Sequence, residues 1–254
     1  MPALTRAAAQ ASGTLGRSLT FLLDIDGTLV HTDDLYFRVF QKLLQPFGYN
    51  VTPDFYKANV HGKVDSDVFS KLMPDDYGPT ELLDMSKKKD ALFCELFREQ
   101  AAARGPPLLD GLGEALGRAK TLGVRCIAVT NAQRGAAEAC IASLRALIPA
   151  ADIIEGLVIG AECKRAKPSP DPYLEGMRLL GVTAEECVVF EDSRSGIRAG
   201  LAAGVPVVGL RSSLGDEELR GLGCAVSLAD WHELDDELIR QMAERKLPQT
   251  PVPT

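Results

Sequence analysis

Short apolar runs that each stop at polar residues are the feature that most constrains the fold of this chain. The first of them, Phe21-Leu22-Leu23, is followed at once by Asp24-Ile25-Asp26-Gly27-Thr28. Runs of this kind predict strands over Leu19–Leu23, Val124–Val129, Leu157–Ile159, Cys187–Phe190 and Val205–Leu210. Helical patterns separate them, so the sequence predicts an α/β fold, a Rossmann-like parallel sheet covered by helices on both faces.

The helices are predicted from apolar residues at helical spacing. They cover Leu35–Phe47, Asp65–Leu72, Glu81–Ala103, Leu112–Leu122, Arg134–Leu147, Tyr173–Leu180, Gly196–Ala203 and Asp230–Glu244. The triplet Lys87-Lys88-Lys89 is interpreted as a solvated helix face, because the chain as a whole is acidic with a net charge of −7. Trp231 and the helix after it are interpreted as packing elements.

A shift in composition predicts a helical insert within the α/β chain. After the first strand the sequence becomes richer in lysine, aspartate and aromatic residues, until the break at Gly105-Pro106-Pro107. The expected organisation is a flexible tail or short targeting segment over 1–18, an α/β core over 19–32 and 106–246, a helical cap over 33–105 and a C-terminal tail over 247–254.

Composition limits the partners and the compartment. A chain of 254 residues that is 46% hydrophobic can build a full core, and its net charge of −7 gives no general attraction to nucleic acid or acidic lipid. No apolar run approaches the length of a membrane span, and the six cysteines include no C-x-x-C pair. We therefore expect a cytoplasmic monomer that binds a small molecule, with the chloroplast or mitochondrion as the alternative if residues 1–18 are a transit peptide.

Polar residues follow four of the predicted strands, at the sheet edge where ligands bind in such folds. They are Asp24 and Asp26 after the first strand, Thr130-Asn131 after the second, Lys167-Pro168 after the third, and Glu191-Asp192 after the fourth. Each has an alternative structural role, as an aspartate turn, a helix N-cap or an exposed lysine. The four clusters together, in this order, point to a single site.

The acidic members of this set predict a metal site. Asp24 and Asp26 would share a face if their strand continued, and a hard divalent cation would relieve the repulsion between them. Two carboxylates leave such an ion under-coordinated, so Glu191 and Asp192 are expected to complete the set. The predicted cofactor is Mg²⁺.

Each residue also has a role if the substrate is a small phosphate ester. Asp24 would attack phosphorus, and Asp26 would serve as general acid and then general base. Thr130 and Asn131 would hold phosphoryl oxygens, and Lys167 would neutralise the charge that nucleophile and phosphate share.

These four motifs resemble those of the haloacid dehalogenase superfamily of phosphohydrolases, and the resemblance runs from Leu19 to Leu210. An insert between the first and second motifs is what that superfamily calls a type 1 helical cap. Its dehalogenases resemble the chain at Asp24 but have no acid two residues later, so Asp26 favours phosphoryl chemistry. The resemblance implies a Mg²⁺-dependent phosphatase that forms an aspartyl-phosphate intermediate.

A narrower resemblance concerns the substrate. The segments Ala128–Ala132, Gly160–Cys163 and His61-Gly62-Lys63 are similar to plant-type small sugar-phosphate phosphatases, and the chain also resembles the β-phosphoglucomutase and phosphoglycolate phosphatase group. This implies a sugar phosphate that His61 and Lys63 contact from the cap. The mutases share all four motifs and stay an alternative, although they carry a histidine where Tyr36 stands. A sensor that binds a phosphometabolite without turnover is the third possibility.

Overall fold

Six strands form the sheet in the computed structural model, which describes residues 15–60, 63 and 65–247. They are β1 (Thr20–Leu23), β2 (Arg125–Thr130), β3 (Ile154–Ile159), β4 (Cys187–Glu191), β5 (Val207–Leu210) and β6 (Val226–Leu228). Their order is β3-β2-β1-β4-β5-β6, and each neighbouring pair is parallel. The predicted parallel α/β sheet is confirmed.

Helices connect these strands. Within the described residues they are α1 (Asp33–Leu44), α2 (Pro53–Asn59), α3 (Asp65–Leu72), α4 (Pro79–Arg104), α5 (Leu112–Thr121), α6 (Arg134–Leu147), α7 (Asp171–Leu180), α8 (Arg194–Ala202), α9 (Asp216–Gly221) and α10 (Asp236–Ala243). None of these helices is both long enough and apolar enough to cross a membrane. The predictions for residues 1–14, His61 and 248–254 lie outside the described part of the chain.

Three of the helices and strands given above were not predicted from the sequence, namely α2, α9 and β6. They contain seven, six and three residues, which are too few for a hydrophobic period to emerge. Helix α8 was predicted from Gly196 but begins at Arg194, because the Ser193 hydroxyl caps it and accepts from the backbone N–H of Gly196 at 3.0 Å.

Strand register brings several chain segments to one edge of the sheet. Leu23, the last residue of β1, lies opposite Ala128 of β2 and Phe190 of β4. The backbone N–H of Asp24 then donates to the Phe190 carbonyl at 3.1 Å, which extends the pairing by one residue. Side chains that follow these three strands therefore emerge close together.

One face of the sheet is covered by α7 and α8. Leu22 of β1 and Val189 of β4 pack there in the same buried cluster as Tyr173 of α7 and Ile197 of α8. Because side chains alternate along a strand, Phe21 and Phe190 point to the opposite face, where their rings meet at 4.7 Å between centroids. Both faces are thus buried, as the apolar strands predict.

The chain divides into two compact units. One contains the sheet and is formed by the described residues of 1–31, 108–132 and 141–254, and the other is formed by 32–107 and 133–140. The expected cap range of 33–105 falls inside the second unit, which also takes in the start of α6. That unit has its own apolar core, with Phe40, Leu44, Val68, Phe69 and Met85 among its buried residues.

The interpretation of the lysine triplet 87–89 as solvated is wrong for its last member. Lys89 is buried, and its ammonium lies 2.7 Å from the carboxylate of Asp65. Met85 and Phe93, four residues before and after it on α4, are also buried. A four-residue spacing places all three on one helix face, so Lys89 lies on the packed side of α4.

The predicted helix over Asp230–Glu244 is wrong in its first half. A short 3₁₀ turn covers Trp231–Glu233, and α10 begins only after Asp235. The Asp235 carboxylate accepts from the backbone N–H of Leu238 at 2.8 Å, so it caps a new helix start instead of continuing an old one.

Trp231 is fully buried, in agreement with the packing role expected for it. Its ring stacks on Phe190 at 4.9 Å between centroids, and its Nε1–H donates to the carbonyl of Thr28 at 2.7 Å. The backbone N–H of Trp231 donates to the backbone carbonyl of Asp110 at 3.0 Å. This one side chain therefore ties the C-terminal turn to the loop that follows β1.

We expect Trp231→Ala to lower the free energy of unfolding by about 3–5 kcal/mol, because it removes a fully buried ring. Trp231→Phe keeps most of the packing but leaves the Thr28 carbonyl unpaired, so it should cost about 1–3 kcal/mol. Urea denaturation followed by circular dichroism measures both, with Leu179→Ala at an exposed site as the control. Wild-type stability of Trp231→Phe would contradict the role of the hydrogen bond.

Candidate active site

Asp24 is the first predicted site residue at the carboxyl edge. It directly follows β1 and is only 7% exposed. Its Oδ1 lies 2.7 Å from Nζ of Lys167, a residue 143 positions later in the chain. The predicted nucleophile and the predicted cation therefore meet in a buried ion pair.

The Lys167 ammonium group has an acceptor within the protein for each of its three hydrogens. Its Nζ lies 2.7 Å from each of three acceptors, which are Asp24 Oδ1, Glu191 Oε1 and the carbonyl of Val129. The ring of Tyr173 lies 4.8 Å from Nζ. Burial alone would lower the pKa of Lys167, but the carboxylates of Asp24 and Glu191 outweigh burial and raise that pKa. The side chain therefore stays a cation.

Glu191 is the most heavily hydrogen-bonded carboxylate of the site. Its Oε1 accepts from Lys167 at 2.7 Å and from the Tyr173 hydroxyl at 2.9 Å. Its Oε2 accepts from the backbone N–H groups of Asp192 and Ser193, each at 3.1 Å, and from the Ser193 hydroxyl at 3.0 Å. These donors engage the lone pairs of both oxygens. The geometry thus favours Glu191 as the anchor of Lys167, and its direct metal-ligand role stays a prediction.

Three carboxylates converge here, and two of them contact the Lys167 ammonium. Asp24, Glu191 and Asp192 each place an oxygen within 4.8 Å of the other two. Burial, followed by the charge of Glu191, raises the pKa of Asp24 well above its ordinary value, although Lys167 opposes this shift. The site therefore carries more negative charge than Lys167 balances, and hard oxygen donors of this kind suit Mg²⁺.

Asp26 does not join this group of carboxylates, as far as the described residues show. The expectation that it would share a face with Asp24 assumed that the strand continues, but β1 ends at Leu23. Beyond that point Asp26 pairs with Val30 in a turn, and its Oδ2 lies 3.4 Å from the hydroxyl of Thr130. The carboxylate of Asp26 is thus placed beside a second predicted site residue.

Thr130 is buried at the end of β2. Its hydroxyl accepts from the backbone N–H of Ala132 at 2.9 Å while it faces Asp26. Thr130 is not a helix N-cap, because it ends β2 and α6 begins only at Arg134, but this local turn holds its hydroxyl in place.

Asn131 makes a reciprocal pair of hydrogen bonds with the backbone of Lys167. Its Oδ1 accepts from the Lys167 N–H and its Nδ2 donates to the Lys167 carbonyl, both at 3.1 Å. A methyl group on Gly160 would lie 2.2 Å from Asn131 Oδ1, so the amide is closely packed as well. The Asn131 side chain therefore uses its oxygen and one of its two amide hydrogens to hold Lys167, and its contact with a phosphoryl oxygen stays a prediction.

Comparison with known proteins assigns the chain to a family. Residues 19–204 match the family model of the haloacid dehalogenase-like hydrolases. The chain belongs to this family. It is 30% identical to Protein CbbY of Rhodobacter capsulatus, over 91% of this chain and 97% of that one. The predicted superfamily is confirmed.

Two further similarities describe this hydrolase's relatives. It is 29% identical to the Phosphorylated carbohydrates phosphatase of Thermotoga maritima, over 84% of this chain and 94% of that one. The crystal structure of CbbY from Rhodobacter sphaeroides in complex with phosphate is similar with a TM-score of 0.71 and 26% identity, covering 85% of this chain and 96% of that chain.

Several residues of the hydrolase site were not anticipated as site residues. Tyr173 was placed on a helix but given no chemistry, and Ser193 was read only as part of the motif around Glu191. Ser212 and Ser213 lie beyond the matched region, yet hydroxyls of both contact the Asp192 carboxylate. No motif in the sequence marks these two serines, because their position depends on how β5 pairs with β4.

The cap residues lie in the second unit. Lys63 is exposed, and its ammonium donates to the carbonyl of Ala58 at 2.6 Å, within the same unit. His61 lies outside the described residues. Contact of either residue with a substrate stays a prediction.

We expect Asn131→Ala to lower the free energy of unfolding by about 1–3 kcal/mol, because it leaves the N–H and the carbonyl of Lys167 unpaired. Asn131→Asp is nearly isosteric, but it would place a carboxylate oxygen against the Lys167 carbonyl and should not restore stability. Urea denaturation measures both, with Asn50→Ala at an exposed position as the control. Wild-type stability of Asn131→Asp would show that the reciprocal pair contributes little.

Proposed function

We propose that this chain is a Mg²⁺-dependent phosphatase that hydrolyses a small phosphorylated metabolite, a sugar phosphate, through an aspartyl-phosphate intermediate. The observation that carries the proposal is the buried Asp24 carboxylate at the end of β1, held 2.7 Å from Lys167 beside two further carboxylates. The relative named as a phosphatase of phosphorylated carbohydrates supports the substrate class. The phosphate complex of a related CbbY supports binding of a phosphoryl group.

The donor set fits a hard divalent cation. Asp24 and Asp192 would hold Mg²⁺, with Glu191 as the further predicted ligand. When bound, the ion supplies positive charge that offsets these carboxylates and the negative charge of a phosphate ester. Burial and then Glu191 raise the pKa of Asp24, and a cation held beside this carboxylate would oppose that shift.

The first chemical step is displacement at phosphorus. A carboxylate oxygen of Asp24 forms a bond to phosphorus as the bond from phosphorus to the sugar oxygen breaks. Asp26, as general acid, gives its proton to that leaving oxygen. Asp26 lies outside the metal-capable group and beside Thr130, and this position supports its assignment as the acid.

The second step returns Asp24 to its starting state. Asp26, now a carboxylate, takes a proton from water as the water oxygen attacks phosphorus. The bond between phosphorus and Asp24 breaks, and inorganic phosphate leaves. Lys167 contacts Asp24 in the resting state and would stabilise the negative charge that passes between nucleophile and phosphoryl group in both steps.

A phosphate-release screen tests the proposal. The purified full chain, with Mg²⁺, is offered a panel of sugar phosphates, phosphoglycolate and nucleoside monophosphates, and free phosphate is measured. We expect turnover that is greatest on a sugar phosphate, is lost with a chelator, and falls when Ca²⁺ replaces Mg²⁺, since Ca²⁺ prefers a looser and larger set of ligands.

Three outcomes would redirect the assignment. Full turnover in chelator would remove the metal from the mechanism. Conversion of a sugar phosphate to its isomer on addition of a sugar bisphosphate, without free phosphate, would identify the mutase alternative. Binding across the panel with no product would identify a sensor.

We expect different defects from the two aspartates of the first motif. Asp24→Asn should abolish turnover, because the amide is a poor nucleophile toward phosphorus. Asp26→Asn should lower kcat by roughly 10²–10⁴ through loss of acid–base help. Rapid quenching with labelled substrate should trap the phosphoryl group on Asp24, and Asp75→Asn at an exposed position is the matched control. Near-native turnover of Asp24→Asn would exclude the covalent mechanism.

A further inference from the structure

The loop that follows β5 contacts the site through two adjacent hydroxyls. The Ser213 hydroxyl donates to Oδ2 of Asp192, and the Ser212 hydroxyl lies 3.2 Å from the same oxygen. Ser212 also donates to the carbonyl of Gly27 in the loop after β1. The two serines therefore lie where the first motif meets the fourth.

This loop is anchored from the side away from the site. The backbone N–H of Arg211, the first residue after β5, donates to the carbonyl of Leu228 at the end of β6 at 2.9 Å. Its guanidinium lies 3.2 Å from the carboxylate of Glu233, which also accepts from the backbone N–H of Ala229 at 2.8 Å. The serines thus project from a backbone that is fixed independently of Asp192.

The backbone at Gly27 packs closely against the Asp192 carboxylate. A methyl group on Gly27 would lie 2.0 Å from Asp192 Oδ2 and 2.6 Å from Cγ, and Gly27 has a left-handed φ of +73°. The carboxylate is therefore packed directly against the Gly27 backbone in addition to its hydrogen bonds with the two hydroxyls.

The hydroxyls of Ser212 and Ser213 restrain the Asp192 carboxylate to different extents. Each serine carries one hydrogen, and Ser212 has two acceptors within range, the Gly27 carbonyl and Asp192 Oδ2. Ser213 donates to Asp192, and a hydroxyl bond to a carboxylate is among the stronger hydrogen bonds in proteins. Ser213 should therefore restrain the carboxylate more than Ser212 does, and Ser212 joins the two loops.

We propose that Ser213, assisted by Ser212, is a positioning residue that holds the Asp192 carboxylate ready for the cation, an inference that rests on the proposed function. Asp24 and Glu191 repel Asp192 at this short range. Without the hydroxyls, the Asp192 carboxylate would lose two contacts that oppose this repulsion. Binding of the cation would then have to reposition the Asp192 carboxylate, and this would lower the affinity of the site for the cation. Removal of a hydrogen bond to a metal ligand typically weakens metal binding about 10–100-fold.

Isothermal titration of Mg²⁺ into the full chain tests this proposal without any substrate. We expect Ser213→Ala to raise the Mg²⁺ dissociation constant about tenfold, Ser212→Ala to raise it less, and the double variant to approach a hundredfold increase. Ser213→Thr keeps the hydroxyl and should bind like the wild type. Ser70→Ala, at an exposed serine of the second unit, is the control, and thermal melts check that each variant is folded.

A second readout separates positioning from a general structural defect. In phosphate-release assays, excess Mg²⁺ should restore the kcat of Ser213→Ala, whereas a misfolded site would stay impaired at any Mg²⁺ concentration. An unchanged dissociation constant in the double variant would overturn the proposal while leaving the phosphatase assignment intact. Absence of Mg²⁺ binding by the wild type would overturn both the proposal and the metal requirement, and phosphate release in chelator would then show whether the phosphatase activity itself survives.

Discussion

The buried ammonium of Lys167 is the interaction on which the rest of the site depends. It is bound by Asp24 and Glu191, which come from the ends of two neighbouring strands. Removing one partner from a buried ion pair typically costs about 3–5 kcal/mol, because the remaining charge is left without compensation. The surrounding structure is therefore built to keep these groups together. Asn131 holds the Lys167 backbone, and Tyr173 shares the carboxylate oxygen that Lys167 contacts.

The parallel sheet makes this assembly possible from distant parts of the chain. Because β1 lies between β2 and β4, Asp24, Thr130 and Glu191 emerge at one edge, and Lys167 reaches them from the loop after β3, which is paired with β2. The same order places the loop after β5 next to the end of β4, where Ser213 meets Asp192. Fold and site are thus linked through strand order, and a change of register would separate the charges.

How much the sequence could predict follows from the range of each interaction. Apolar runs and the polar residues that follow them are local patterns, so the central strands and the convergence of Asp24, Lys167 and Glu191 were predictable. The partners of Asn131 and Ser213 depend on long-range packing, which leaves no local pattern. A shared face for Asp24 and Asp26 required the strand to continue, and the end of β1 at Leu23 depends on pairing that the local pattern does not show. Lys89 was misplaced because a charge on a helix face indicates solvent only when no acid is packed beside it.

The donors that hold the carboxylates explain why the site should bind a cation. Besides Lys167, the donors to Glu191 are the Tyr173 hydroxyl, the Ser193 hydroxyl and backbone N–H groups, and serine hydroxyls donate to Asp192. Such donors fix geometry without cancelling formal charge. With all groups ionised, the three carboxylates of the metal-capable group and one ammonium leave a formal charge of −3 + 1 = −2. Burial makes that imbalance costly, and a proton on Asp24 or a bound divalent cation can each relieve it. Only the cation leaves Asp24 ionised, which is the state that attack on phosphorus requires.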